Sequence, residues 1–237
     1  MAHASPILGS ERQPLRDAER LSDAAQALRQ IAHHLRQPLS TIEALAYYLS
    51  ITLPPAETKA LDQLEKMQRL VQEANLILSD AVHYFRASRS HPARVDLNEL
   101  ALNALAEMPA DDNQPVRFTC GPAFIPVNLD AAQAGHMLRN LAGYLRQVSL
   151  GGGVIECAAS ANELEAELAI GVASAACCPE ELASLLDRDS PHLGSGSGLA
   201  MASVRRIADA HGGRIGIQAQ PPGGMRLTVT FPMATNR

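Results

Sequence analysis

Ile31-Ala-His-His-Leu-Arg-Gln-Pro-Leu-Ser-Thr-Ile42 is the stretch around which we expect the chain to be organised. Leucines and isoleucines recur through and around it at steps of three and four residues, the spacing of one face of an α-helix. They are Leu28, Ile31, Leu35, Leu39, Ile42, Leu45 and Leu49. His33 and His34 fall off this stripe, and Pro38 lacks the N–H that would bond to the carbonyl of His34. We therefore expect an amphipathic helix that presents two accessible imidazoles beside a kink.

The segment that follows Leu53-Pro54-Pro55 predicts a second helix, which begins near Pro55 or Ala56. Its apolar residues alternate steps of four and three, as in a heptad seam. They are Ala60, Leu64, Met67, Val71, Ala74, Leu78, Ala81 and Phe85. Two long helices joined by a short proline turn form an antiparallel hairpin. Because one hairpin cannot bury seams of this length, we expect two copies to pair as a homodimeric four-helix bundle.

The second half of the chain alternates short strands with helices. Helices are predicted at 97–108, 130–148, 179–186 and 199–210, and strands at 116–120, 124–127, 154–160, 164–172, 214–220 and 225–231. Asp96 is the predicted cap of the first of these helices, and His211-Gly212-Gly213 predicts a left-handed end to the last. The fold class is therefore α followed by α+β, a helical hairpin and then a sandwich of mixed strands with helices on one face.

We divide the chain into a flexible tail over residues 1–16, a helical hairpin over 17–90 and an α+β domain over 91–237. The net charge of −5 and the absence of a Lys/Arg block argue against nucleic-acid binding. No apolar run approaches the roughly 18 residues that cross a bilayer, and the N-terminus lacks the apolar core of a signal peptide. The four cysteines have no zinc-ligand spacing. We expect a cytoplasmic protein with reduced thiols, no metal site and no membrane partner.

A glycine-rich segment, Gly194-Ser-Gly-Ser-Gly-Leu199, leads into the last predicted helix. Glycines at such a place let backbone N–H groups approach an anion, and the start of the helix adds a partial positive charge. The pattern indicates an anionic ligand. A loop that only caps the helix is the alternative.

His33-His-Leu-Arg-Gln-Pro-Leu39 resembles the phosphoacceptor box of sensor histidine kinases, whose usual form is His-Glu-Leu-Arg-x-Pro-Leu. The glycine segment resembles the Gly-x-Gly-x-Gly-Leu box of the same family's GHKL-type ATPase domain, and the likeness spans about residues 20–232. It implies that His33 carries a phosphoryl group, that ATP and Mg²⁺ bind, and that a response regulator receiver domain is the partner. By the same resemblance, the nucleotide would be held by Asn140, Gly194, Gly196, Gly198 and Leu199.

Four of the chain's departures from the family's pattern bear directly on its chemistry. His34 stands where the family has an acid, and Gln37 where it has Thr or Asn. We expect His34 to accept a proton in its neutral form and Gln37 to position a water molecule. Tyr144 replaces the asparagine that binds Mg²⁺, and Ala173 replaces the aspartate that contacts adenine. A phenol is a poor Mg²⁺ ligand, so we expect ATP and Mg²⁺ to bind weakly.

Two hypotheses follow for the function. In the first, the chain is a two-component signal transduction protein with an impaired ATP site, which is phosphorylated on His33 and passes phosphate to a response regulator aspartate. In the alternative it is a histidine phosphotransferase or pseudokinase, which relays phosphate or docks a regulator without using ATP. The lack of a sensory segment ahead of the hairpin favours the relay. The remaining histidines are expected to be ordinary surface or core residues, namely His83, His91, His136, His192 and His211.

Overall fold

The computed structural model describes residues 12–86, 90–122, 124–187 and 196–234, with side chains from residue 26 onward. The chain divides into two compact units, the first ending at Phe85 and the second beginning at Arg86. Most of the predicted tail lies outside the described residues, as do residues 87–89 and His192.

The first unit consists of two long helices, α1 (Arg12–Thr52) and α2 (Thr58–Arg86). The helix α1 continues through Pro38, so the hydrogen bond that proline cannot make does not end the helix. The helix α2 begins slightly later than predicted, because the carbonyl of Glu57 accepts the first helical bond, from the N–H of Leu61 at 3.1 Å. Both helices line one groove, formed by Ser40, Glu43, Ala44, Tyr47, Gln68 and Gln72. The two helices therefore form the antiparallel hairpin that was predicted.

Small and branched side chains are buried within the hairpin, among them Ala32, Ala46, Leu64 and Val71. Much of the predicted stripe on α1 is not buried. Its exposed members have 40% to 57% of their surface accessible, and they are Ile31, Leu35, Ile42, Leu45 and Leu49. A single copy of the chain thus leaves a long apolar stripe in contact with water.

The second unit contains four helices and seven strands in its described part. The helices are α3 (Leu97–Ala106), α4 (Ala131–Val148), α5 (Pro179–Leu185) and α6 (Gly196–Ala210). The strands are β1 (Ala93–Asp96), β2 (Val116–Thr119), β3 (Pro126–Leu129), β4 (Ile155–Ala161), β5 (Glu165–Val172), β6 (Arg214–Gln220) and β7 (Gly224–Pro232). Five strands form a mixed sheet in the order β2-β4-β5-β7-β6, in which β2 and β4 are parallel and the other neighbours antiparallel.

The core of this unit lies between the sheet and the helices. Alternate residues of the central strands face the helices and are buried, for example Leu168, Ile170, Leu227 and Val229. The helix α4 packs against both α3 and α6. The helical N-terminal region followed by a mixed sheet covered by helices confirms the predicted fold class.

Local signals in the sequence account for several element boundaries. The carboxylate of Asp96 accepts a hydrogen bond from the N–H of Asn98 and caps α3, as predicted. Gly212 has φ +67°, and the N–H of Gly213 bonds to the carbonyl of Ala208 at 2.8 Å, which confirms the left-handed end of α6. The strand β1 was not predicted, since it forms only by pairing with β3 in a separate two-stranded sheet.

Across the described residues, no helix combines the length and the apolar content that crossing a bilayer requires.

Candidate functional site

His33 and His34 are exposed on α1, as their position off the apolar stripe predicts. Their ring centroids lie 6.0 Å apart, with an angle of 51° between the rings. Gln37 lies one helical turn beyond His33 and is also exposed, while its carbonyl accepts a hydrogen bond from Oγ1 of Thr41 at 3.1 Å. The imidazole of His33 is therefore open to a reacting group on another molecule.

Asn140 connects α4 to the start of α6. Its Nδ2 lies 3.3 Å from Nε2 of the buried His136 and 3.5 Å from the carbonyl oxygen of Ala200. A second contact nearby joins the same helices, because Oγ of Ser197 donates to Oε1 of Gln147 at 2.9 Å. The predicted asparagine and the N-terminal turn of α6 are thus brought together.

The glycine segment forms the beginning of α6 within the described residues. Gly196 is the first residue of the helix, which therefore starts before the predicted Leu199. Gly198 is buried and Leu199 is half-buried. Gly194 lies outside the described residues. Three of the four predicted residues of this box therefore lie in one helical turn beside Asn140.

Tyr144 lies one turn beyond Asn140 on α4 and is buried, with 7% of its surface exposed. Its hydroxyl oxygen is 3.5 Å from Sγ of Cys177. Burial raises the pKa of Tyr144, and the hydrogen bond to Cys177 and the nearby carboxylate of Glu181 raise it further. The side chain is consequently a neutral phenol whose oxygen is already engaged.

The segment after β5 is held by backbone hydrogen bonds. The N–H of Ala176 bonds to the carbonyl of Val148 at 2.7 Å, and the N–H of Ala175 bonds to the carbonyl of Gly223 at 2.9 Å. Ala173 leads into this segment and has no polar side-chain atom. The segment therefore packs against α4 through Cys177 and offers no carboxylate at the position where the resemblance implies one.

These observations test whether the residues fit Mg²⁺ and ATP. The resemblance implies an amide oxygen for Mg²⁺ and a carboxylate for adenine, whereas the chain has a buried phenol at Tyr144 and a methyl group at Ala173. Among the described residues, no group of three or more His, Cys, Asp or Glu side chains could hold a metal ion. At these two positions the donor chemistry does not fit the complex that the family's pattern implies.

A link between Asp130 and His211 was missed by the sequence reasoning. The N–H of Asp130 donates to Nε2 of His211 at 3.0 Å, and Nδ1 of the same ring lies 2.8 Å from the carbonyl of Ile207. Because Nε2 accepts, the ring carries its proton on Nδ1 and donates it to Ile207. No local pattern signals this contact, since it joins residues far apart in the chain. It gives His211 a structural role, as expected for the remaining histidines.

The carboxylate of Asp130 caps α4. It accepts hydrogen bonds from the N–H groups of Ala132, Gln133 and His91. Burial alone would raise the pKa of Asp130, but these donors and the nearby His211 lower it below its usual value. The start of α4 is therefore stabilised by a charged cap.

Comparison with known proteins places these features in a family. Residues 129–235 match the family described as "Histidine kinase-, DNA gyrase B-, and HSP90-like ATPase". Sensor histidine kinase ZraS of Escherichia coli K12 is 26% identical over 212 residues, which cover 87% of this chain and 45% of ZraS. The same protein of Klebsiella oxytoca is 27% identical over 209 residues, which cover 86% and 45% of the two chains. Residues 129–235 therefore belong to this ATPase family, and the chain as a whole is similar to sensor histidine kinases.

Solved structures of histidine kinases show the same fold as this chain. The full-length structure of ShkA in complex with AMPPNP superposes with a TM-score of 0.63 at 20% identity, over 89% of this chain and 46% of ShkA. The mycobacterial sensor histidine kinase MprB has a TM-score of 0.51 at 22% identity, over 60% of this chain and 98% of that structure. The chain spans a little under half the length of the curated relatives that it matches.

Proposed function

We propose that this chain is a two-component signalling protein of the sensor histidine kinase family that carries a phosphoryl group on His33 and transfers it to an aspartate of a response regulator, with an impaired ATP site. The observation that supports it most is the exposed imidazole of His33 within His-His-Leu-Arg-Gln-Pro-Leu, in a chain of this family. We propose the same organisation of a tail over 1–16, a hairpin over 17–90 and an ATPase-like domain over 91–237.

The transfer uses one ring nitrogen of His33. In the direction from a phosphorylated receiver, the nitrogen lone pair attacks phosphorus, the P–N bond forms, and the P–O bond to the aspartate breaks to release its carboxylate. Transfer to a receiver reverses these bonds. His34 stands beside the ring and acts as a proton acceptor when neutral. Gln37, exposed one turn away, positions water for hydrolysis of the acyl phosphate.

Transfer to a receiver domain on another molecule needs an accessible histidine, and His33 satisfies this requirement without rearrangement of α1. The exposed apolar stripe on the same helix supports the homodimer, because pairing of two hairpins would remove it from water.

The alternative function is a histidine phosphotransferase or pseudokinase that uses no ATP. The contact of Tyr144 with Cys177 favours it, because the position of the family's metal ligand is occupied by a buried phenol. Loss of a charge-assisted hydrogen bond at Ala173 would weaken nucleotide binding by a further 1.5–3 kcal/mol, about ten- to a hundredfold.

A labelling experiment separates these functions. The full chain, His33→Gln and His34→Gln are incubated either with radiolabelled ATP and Mg²⁺ or with a radiolabelled, phosphorylated receiver domain. We expect slow or absent labelling by ATP, and labelling by the receiver that is lost in His33→Gln and only slowed in His34→Gln. Rapid labelling of His33 by ATP would overturn the impaired ATP site. If neither donor labels His33, phosphotransfer is wrong and a docking role remains.

A further inference from the structure

The strand β6 is an open edge of the five-stranded sheet. In the part of the chain that the structure describes, β6 pairs with β7 on one side and with no strand on the other. Its seven residues, Arg214–Gln220, include no charged side chain after Arg214. The opposite edge strand, β2, has four residues and carries Arg117 in an ion pair with Glu156. Sheet edges are usually guarded by charge, proline or short length, so β6 is the edge that can accept another strand.

Both faces of β6 are incompletely covered. Ile215 and Ile217 pack against the core on the helical side, yet each remains partly exposed. On the outer side, Gly216 is exposed, and a Cβ atom built there would meet nothing within 4 Å. It lies in a surface hollow of about 390 Å³ that Gln218 and Thr228 also line. A glycine inside a strand often marks a place where another backbone approaches closely.

The charges around the hollow argue against a charged peptide. Arg214 already forms an ion pair with Glu165, and the remaining charged side chains, Arg226 and Glu167, have opposite signs. Neither an acidic nor a basic segment would gain net attraction there. An uncharged strand with amide side chains fits better, and β6 itself has this composition.

We propose that β6 pairs antiparallel with β6 of a second copy of the chain, centred on Ile217. In this register Ile217 meets its counterpart on the helical side, and Ile215 meets Ala219 of the partner subunit. On the outer side Gly216 faces the partner's Gln218, whose amide side chain enters the hollow. Arg214 faces the partner's Gln220, and the two Arg214 side chains lie about 20 Å apart at roughly 3.4 Å per residue. Each contact apart from the central Ile217 pair occurs twice, and no like charges oppose each other.

A pairing of seven residues buries less area than a stable interface needs. The proposal therefore rests on the proposed function in one respect: hairpins paired as a dimer hold the two sheets at high effective concentration. Under that condition a weak edge contact can form within the dimer and join the two ATPase-like domains into one continuous sheet.

Cysteine crosslinking in the full chain tests the register. The exposed thiols are first removed by Cys120→Ser and Cys178→Ser. Residues directly opposite in an antiparallel pair have Cα atoms about 4.5–5.5 Å apart, which a disulfide can span. With copper phenanthroline and air as oxidant, we expect Ile217→Cys to form interchain disulfides roughly ten times faster than Gln220→Cys, whose two copies would be too far apart.

Two further variants keep the test decisive if Ile217→Cys folds poorly. Chains with Arg214→Cys should crosslink to chains with Gln220→Cys in mixtures, whereas each chain alone should not. Gly216→Lys, added to both chains of this mixed pair, should reduce crosslinking to the level of the control, because a lysine guards the edge while its Cβ meets no neighbour.

Light scattering at the same concentration distinguishes failure of this proposal from failure of the proposed dimer. If the chain is dimeric but Ile217→Cys crosslinks no faster than Gln220→Cys, and the mixed pair does not crosslink, the edge pairing is wrong and the hairpin dimer stands. If the chain is monomeric, both are wrong.

Discussion

The hydroxyl oxygen of Tyr144 lies 3.5 Å from Sγ of Cys177. This contact joins α4 to the segment that follows β5. In the family's pattern these two places supply the metal ligand and the contacts to adenine. Here a buried phenol and a thiol contact each other instead. The contact between Tyr144 and Cys177 thus joins the position of the replaced metal ligand to the segment that lacks the family's aspartate.

Replacement of Tyr144 tests whether this contact limits ATP binding. We expect Tyr144→Asn to bind a fluorescent ATP analogue more tightly than the wild type, and only when Mg²⁺ is present, because an amide oxygen is a better Mg²⁺ ligand than a phenol. The change should also cost about 3 kcal/mol of stability, since it removes a buried ring. Titrations with and without Mg²⁺ measure the first effect and urea denaturation the second.

Tyr144→Phe is the matched control for this experiment. It keeps the ring and removes only the hydroxyl that contacts Cys177, so stability should change by less than about 1.5 kcal/mol and ATP binding should not improve. Equal ATP affinity in the two variants would mean that the metal ligand is not what limits binding.

Gln37 is expected to act on the receiver's acyl phosphate rather than on His33. We predict that Gln37→Ala slows hydrolysis of a phosphorylated receiver by tenfold or more, since a positioned group contributes at least this much, while the initial rate of transfer to His33 is unchanged. Rapid-quench kinetics with a labelled receiver measures both rates. Thr41→Val is a control on the same helix, because Oγ1 of Thr41 donates to the backbone carbonyl of Gln37. A loss of transfer in Gln37→Ala equal to the loss of hydrolysis would contradict the assignment.

Asp130 provides a prediction about pH. Its carboxylate caps α4, and its pKa is lowered in the folded protein. A carboxylate with a lowered pKa contributes stability above its unfolded pKa of about 3.9 and loses that contribution as the pH falls through the folded value. Asp130→Ala should therefore cost about 1 kcal/mol at neutral pH, and the cost should shrink below about pH 4.

Asp130→Asn removes the negative charge of the helix cap but keeps a side-chain oxygen that can accept its hydrogen bonds. Asparagine caps a helix about as well as aspartate, so this variant should be nearly as stable as the wild type and should lose most of the pH-dependent difference. Thermal unfolding between pH 3 and pH 7 measures all three proteins. A constant difference between the wild type and Asp130→Asn across this range would show that the charge contributes nothing.

Two strand glycines should respond in opposite ways to the same substitution. A Cβ atom at Gly171 would lie 2.7 Å from the carbonyl oxygen of Met225 on β7, whereas at Gly216 it would meet nothing within 4 Å. We expect Gly171→Ala to destabilise the fold by about 1–3 kcal/mol through overpacking. Gly216→Ala should be neutral or stabilising by up to about 1 kcal/mol, because glycine costs more entropy on folding. Chemical denaturation measures the free energy of unfolding of both variants. An equal loss of stability in the two would contradict the packing described for β7.

The sequence predicts the parts of this fold that depend on neighbours in the chain. The cap at Asp96 and the left-handed glycine after α6 follow from residue types with strong local preferences. The strand β1 could not be predicted, because its pairing partner, β3, lies some thirty residues away and its own pattern is too short to signal a strand. The order of strands in the main sheet is likewise a property of distant pairings.

The candidate site likewise has features that the sequence predicts and features that it does not predict. Exposure of His33 follows from its position off a helical stripe, which is a local pattern. The sequence does not predict that Tyr144 is buried against Cys177. The identities of the two residues do not indicate whether their side chains are in contact. The contact of Asp130 with His211 is a further example, since it joins the start of α4 to the end of α6.

The exposed stripe on α1 leads to a prediction about assembly. Ile42 and Leu45 are accessible in a single copy, so a charge at either position should not disturb the hairpin itself but should oppose its pairing with a second copy. We expect Leu45→Glu to weaken the homodimer by about 2 kcal/mol or more, roughly thirtyfold in the dissociation constant.

Leu76→Glu is the control, because Leu76 is exposed on α2 but lies outside the heptad seam. Sedimentation equilibrium should find the control dimeric and Leu45→Glu shifted towards monomer. If Leu76→Glu dissociates the dimer instead, the copies pair through another face of the hairpin.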